Sequence, residues 1–309
     1  MILAVLRRHA GARFCCLLGL LTAAEAQPQQ LEPRAYANVP VGLNFLIAGY
    51  AHSSGGLATD PALPLTDEQL TLQTPILAYA HSFDAWGKSA KFDAVIPWGC
   101  VSGSAISNGA PVSRDVCGLL DPAFRFSINF YGAPAMRLEE FRNYRQDLIV
   151  GASLQVSPPL GQYDPDKLVN LGTNRWMFRP EIGVSKAFQR LTAEFALGAS
   201  FFTNNDSYFG GKTREQDPIY SSQLHLVYEL CGGTWVALDG TYFWGGRTTI
   251  NGVEGNDELG NSRIGVTLAL PVDRNNSIKL YASEGILARV GADFTIVGIA
   301  WQYRWGGGL

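Results

Sequence analysis

Three kinds of side chain in this 309-residue chain have the types and spacing to do chemistry. The first is a set of charged residues on alternate positions of otherwise apolar runs: Lys91, Asp93, Arg125, Asp147, Arg179, Glu181, Glu194, His225, Glu229, Asp239, Arg263, Lys279 and Arg304. Alternate residues of an extended chain share a face, so these belong to one polar surface. Cations and anions facing each other across a narrow lumen either pair and fill it or leave a polar path for a solute. Sequence alone leaves both readings open.

The second kind is histidine. Outside the leader stand His52, His81 and His225, the last on the charged face close to Glu229. A hydrolase built on a barrel needs a His beside a serine nucleophile with a third polar group to orient it. No serine stands at a convincing position, so no catalytic set is assigned and His225 is read as lining. No Cys/His group has zinc spacing, and no metal is expected. The glycines Gly210-Gly211, Gly245-Gly246 and Gly306 to Gly308 fall in turns or the tail, outside the strand-to-helix setting of a phosphate loop, so no cofactor is implied.

The third kind is cysteine. Cys100 and Cys117 are expected at the two ends of one long outer loop, where a disulfide formed in an oxidising compartment would restrain it. Cys231, in a tight turn, is left over as a free thiol.

The elements that must position these residues are strands. From Asp293 to Trp305 the sequence reads DFTIVGIAWQYRW, with Val297, Ile299, Trp301, Tyr303 and Trp305 on one face: a period of two with one side in an apolar medium. Twelve such runs are predicted, among them Val41–Tyr50 (Val41, Leu43, Phe45 and Ile47 on one face), Ala123–Tyr131, Asp147–Ser157, Trp176–Lys186, Thr234–Trp244 and Ser277–Glu284. Aromatic residues gather at run ends, as at Trp98, Trp176, Tyr242, Trp244, Tyr303 and Trp305. Connections alternate between short turns (Asp84 to Ser89, Ala187 to Arg190, Gly232-Gly233, Asp273 to Asn276) and long loops (His52 to Gln69, Val101 to Pro122, Pro158 to Arg175, Thr203 to Pro218, Gly245 to Ser262). Two connections depart from this: Ala133 to Gln146 is long at the short end, with Leu138 to Phe141 able to form a helical turn, and Gly285 to Ala292 is short for an outer loop. Even strand number, loop asymmetry and aromatic ends predict an all-β, up-and-down transmembrane barrel.

The leader agrees with a membrane-directed chain. Arg7, Arg8 and Arg13 precede the apolar stretch Cys15 to Ala23, and Ala24-Glu25-Ala26 offers a small-x-small cleavage site, the pattern of a secretory signal peptide over residues 1–26. Its removal takes the net charge from −3 to −5, which argues against a nucleic-acid partner. Residues 27–40 are expected as an N-terminal periplasmic segment able to thread into the lumen from below, and 41–309 as the barrel.

Several stretches resemble one bacterial family: Leu31 to Tyr36, Pro40 to Asn44, Ser53 to Gly56, Asn174-Arg175-Trp176, Pro180 to Gly183, Tyr242 to Gly246, Asn261 to Gly265 and Trp301 to Gly306. The family is that of transporters named for the meta pathway of phenol degradation. The resemblance covers nearly the whole mature chain and implies an outer-membrane barrel for uptake of aromatic or other hydrophobic compounds. Its partners would then be outer-membrane lipid, a small solute and the barrel-assembly machinery, with the chain a monomer. The alternative is a structural or surface-interaction barrel whose long loops do the work.

Overall fold

The run Ala123 to Tyr131 shows why these segments form strands. Phe126 lies on its exposed face, while Ser127 and Asn129 between the aromatics are buried, so one face meets an apolar exterior and the other a polar interior. The computed structural model describes residues 32–58, 65–107 and 110–309, apart from the side chains of 56–58, 65–68, 107 and 291–293. The signal-peptide expectation and Leu31 lie outside the described residues.

In chain order the elements are β1 (Leu43–Ala58), β2 (Leu65–Ala85), β3 (Lys88–Ser107), β4 (Ala110–Leu119), β5 (Ala123–Tyr131), α1 (Leu138–Phe141), β6 (Leu148–Ser157), β7 (Met177–Phe188), β8 (Leu191–Phe202), β9 (Asn205–Tyr208), β10 (Lys212–Gln216), β11 (Ile219–Glu229), β12 (Trp235–Gly245), β13 (Thr248–Ile250), β14 (Val253–Glu254), β15 (Leu259–Pro271), β16 (Asn276–Leu287) and β17 (Gly291–Gly306). Pairing runs from β2 through β1, β17, β16, β15, β12, β11, β8, β7, β6 and β5 to β3, and β3 pairs back with β2. The sheet therefore closes on itself as twelve antiparallel strands, with no free rim.

The exterior explains the medium. Leu77, Ile96, Leu154, Ile182, Leu238 and Ile299, one each from six strands, are exposed apolar residues on the outer wall, and the remaining strands carry others like them. A continuous apolar belt of this kind far exceeds the patches water-soluble proteins tolerate; it belongs in lipid. Stacked aromatics border it at both ends: Tyr303 on Trp305 at 5.6 Å at the short-turn end, and Tyr220 on Trp244 at 5.7 Å at the long-loop end. The molecule is a transmembrane β-barrel.

Two features depart from the expected strand and loop boundaries. The long connections are themselves largely β structure: β3 runs on to Ser107 and returns as β4, so the expected loop Val101 to Pro122 is a hairpin. Likewise β9, β10, β13 and β14 form a separate four-stranded sheet at the long-loop end. The second departure is β1, whose apolar residues Leu43 and Ile47 point into the lumen: Leu43 is buried and Ile47 borders the internal cavity. Its outward residues include Ala48 and Tyr50, so β1 is apolar on both sides and its period carries no sign of which face is lipid.

Candidate functional site: the lumen and its strap

Strand register gathers the polar side chains into hoops. Asp93 pairs in register with Arg125, Arg125 with Gln155 and Gln155 with Arg179. A second hoop links Ser185, Glu194, His225 and Asp239 on β7, β8, β11 and β12. Because neighbours in register share a face, each hoop turns its side chains into the barrel.

The pairs within these hoops are short and specific. Arg125 donates through Nε to Asp93 Oδ2 at 3.1 Å and forms an ion pair with Glu32. Arg179 donates to Glu181 at 3.0 Å, and Gln223 donates to the same carboxylate oxygen at 3.0 Å. The carboxylate of Asp239, fully buried, lies 2.7 Å from His225 Nδ1 and accepts from Thr267 Oγ1 at 2.8 Å. His225 and Asp239 thus resemble two members of a hydrolase constellation, but the third group bonded among the described residues is a threonine on the carboxylate, where it ties a polar network.

A strap from the N-terminal segment lies against this polar wall. Arg34, in the left-handed region at φ 70°, donates its backbone amide to Glu194 at 2.6 Å and its guanidinium to Glu229 at 3.1 Å. Lys91 Nζ donates to the Ala35 carbonyl at 2.6 Å, Asn129 donates to the Tyr36 carbonyl at 3.1 Å, and Tyr36 Oη donates to Glu181 at 2.9 Å. The Tyr36 ring sits over Gly151 and Gly183, register partners on β6 and β7, in a notch that a Cβ at either position would fill. The strap leaves through Asn38, which donates to the Pro134 carbonyl, and Pro40, whose carbonyl accepts from Ser82 Oγ at 2.6 Å.

The strap divides the lumen unequally. On the polar side lies a void of about 30 Å³, bordered by Tyr36, Glu181, Glu194 and His225. On the other side lies a cavity of about 960 Å³, bordered by the strap, by Gly232 and Asp273 at the short-turn end and by Arg214 and Asp257 at the long-loop end. Much of its wall is apolar: Ile47, Gly49, Ile76, Ala78, Ile296 and Ala300 from β1, β2 and β17. Asp273 stands at its short-turn mouth. The amide of Asn275 and the side chain and amide of Asn276 donate to its carboxylate, and these bonds hold its pKa below the usual carboxylate range.

The thirteen charged positions separate into three groups. Asp93, Arg125, Arg179, Arg263, Lys279 and Arg304 border the large cavity. Glu181, Glu194, His225, Asp239 and Lys91 face the polar wall or the strap. Asp147, its side chain 79% exposed, pairs with Lys186 at the rim, and Glu229 stands at the same rim against Arg34; their strands end there, so neither reaches the lumen interior. Cys100 and Cys117 are cross-strand neighbours in the β3–β4 hairpin, Cα atoms 4.0 Å apart and sulfurs joined, and Cys231 is an exposed free thiol. The sequence places residues 27–40 within reach of the lumen but does not single out Glu32, Arg34 or Tyr36 as contacts, nor Thr267, nor the apolar wall. The available signal was the inward parity of Gly151 and Gly183, two absent side chains on neighbouring strands.

Comparison with known proteins bears on this geometry. A family model described as "Putative MetA-pathway of phenol degradation" matches residues 52–295. Among solved structures, an outer membrane channel from Pseudomonas putida F1 superposes with a TM-score of 0.77 at 22% identity, covering 89% of this chain and all of that one. The transport unit of the autotransporter AIDA-I from Escherichia coli follows with a TM-score of 0.52 at 10% identity, covering 91% of this chain and 94% of that one. These likenesses are of fold. No curated protein matches the sequence.

Proposed function

Since the chain belongs to this MetA-pathway family of phenol degradation and is an outer-membrane β-barrel of the channel type, we propose that it passes small apolar or aromatic solutes passively across the outer membrane. The observation that carries the reading is the cavity of about 960 Å³ beside the strap, with its apolar wall on β1, β2 and β17 and its borders at both ends of the barrel. A fully polar lumen would favour hydrated sugars and ions; an apolar wall lowers the cost of a dehydrated aromatic body along its path. The strap sets the width: it occupies the polar side and leaves the solute the larger cavity, with its apolar wall on β1, β2 and β17. Transport by this route needs no partner beyond membrane lipid and solute, and the barrel acts as a monomer inserted by the assembly machinery.

The competing reading, a structural or surface-interaction barrel, draws on the densely paired polar half. Uptake separates the two. Cells lacking their general porins and expressing this protein should accumulate benzamide several-fold faster than cells with an empty vector. Equal rates, with the barrel confirmed as folded in the outer membrane, would favour the structural reading.

A further inference from the structure

The charges around the large cavity are not balanced in how they are used. Among its described lining residues are seven basic side chains (Arg34, Arg125, Arg179, Arg214, Arg263, Lys279 and Arg304) against four acidic ones. The acids are all held: Glu32 and Asp93 by Arg125, Asp257 by the amide and hydroxyl of Thr248, and Asp273 by its own turn. Lys279 is different. Among the described residues its ammonium makes no hydrogen bond or ion pair, and Glu32, the carboxylate whose field reaches it, is already paired with Arg125.

Its surroundings explain why. In register, Lys279 is flanked by Ala269 on β15 and Ala300 on β17. The same hoop continues through Gly49 on β1 to Ile76 on β2, and in the other direction from Ala269 to Trp235 on β12. Of the six positions in this hoop, from Trp235 to Ile76, Lys279 holds the one charge. Strands lie about 4.8 Å apart, so Ala300 and Gly49 stand roughly 5 and 10 Å from the lysine strand. Their small side chains leave a shallow apolar recess beside an ammonium group. A flat ring laid over Ala300 and Gly49 would set a carboxylate attached to it against Lys279. A neutral ring would gain the recess alone, and a cationic one would meet repulsion.

We propose that Lys279 determines the specificity of this cavity and that the solutes it favours are organic anions with a flat apolar body, aromatic carboxylates foremost. This rests on the reading of the cavity as a conduit. The mechanism is electrostatic attraction in a confined, partly apolar lumen, where a single fixed charge biases which ion enters without holding it.

The test uses the purified full-length barrel in planar bilayers, with the reversal potential measured across a gradient of sodium benzoate at pH 8. Sodium benzenesulfonate, permanently charged, controls for passage of neutral acid. The wild type should pass both anions over sodium by about fivefold, the scale of one unpaired lumen charge. Lys279→Met should lower that ratio about twofold or more, Lys279→Glu should lower it further, and Lys279→Arg should keep it. A wild type with no anion preference overturns the inference whether or not any variant folds, and so does an unchanged ratio in Lys279→Met. If the wild type shows no anion preference but passes neutral benzamide in proteoliposomes, this inference fails while the conduit stands. If it passes neither salt nor benzamide, both fail.

Discussion

The ring of Tyr36 occupies the space that a side chain on Gly183 would need: a Cβ built at position 183 falls 2.1 Å from Tyr36 Cε2, and one at Gly151 falls 2.6 Å from Cδ1. Neither glycine has a positive φ, so the requirement is one of room and not of backbone conformation. Gly183→Ala should therefore leave the strand intact and dislodge the strap, breaking the Tyr36–Glu181 hydrogen bond. The expected readout is a larger single-channel conductance and faster protease cleavage near Arg34 than in wild type. Unchanged conductance with an unchanged cleavage rate would show that the ring does not hold the strap.

Arg125 carries two carboxylates at once, Glu32 from the strap and Asp93 from β3. Arg125→Met leaves both without the cation that bonds them. Removing one partner of a paired, partly buried charge costs about 1–3 kcal/mol where solvent still reaches the site, as it does here with 16–31% of each side chain exposed. Heat-modifiability on gels should show the barrel unfolding at a temperature several degrees lower, with Arg125→Lys intermediate. An unshifted transition would mean that these charges are solvated and not paired.

The Asp239 carboxylate receives Thr267 Oγ1 and faces His225 Nδ1 where solvent does not reach. Asp239→Ala strands both partners, at about 1–3 kcal/mol for each unsatisfied group. Denaturant unfolding in detergent micelles should record the loss. The double variant Asp239→Ala/Thr267→Val should be less destabilised than the sum of its singles, because one network is removed in both. Strict additivity would contradict a shared network.

The Cys100–Cys117 bridge joins β3 to β4 past Val95, where β3 no longer pairs with β5, so its effect should be local. Non-reducing peptide mapping should recover the linked pair with Cys231 alkylatable. Cys100→Ser should speed trypsin cleavage at Arg114 while barrel unfolding moves little. A large drop in barrel stability would place the hairpin within the cooperative unit.

Much of this was legible in the sequence, for a physical reason. A strand between lipid and a polar lumen must alternate, and Ala123–Tyr131, Trp176–Lys186 and Ser277–Glu284 do so plainly, which is why twelve strands and the faces of Arg125, Glu181 and Lys279 are readable from text. β1 is not, because Leu43 and Ile47 face an apolar part of the lumen while Ala48 and Tyr50 face lipid. The hairpin β3–β4 and the small sheet of β9, β10, β13 and β14 lack the lipid constraint and so lack its period. Which cations are neutralised is also hidden. Arg125 and Lys279 look alike in sequence, and only strand register shows one among carboxylates and the other between two alanines.

The central claim is that solute moves along the apolar side of the lumen, and single-channel conductance of Gly49→Trp tests it most directly. A side chain at position 49 would begin in ordinary contact with Ala300 and Ile76, 3.6 and 3.8 Å from their Cβ atoms, and project into the cavity. The account predicts a folded barrel whose conductance falls several-fold below wild type, with Gly49→Ala close to wild type. A Gly49→Trp channel that conducts as well as wild type would contradict it.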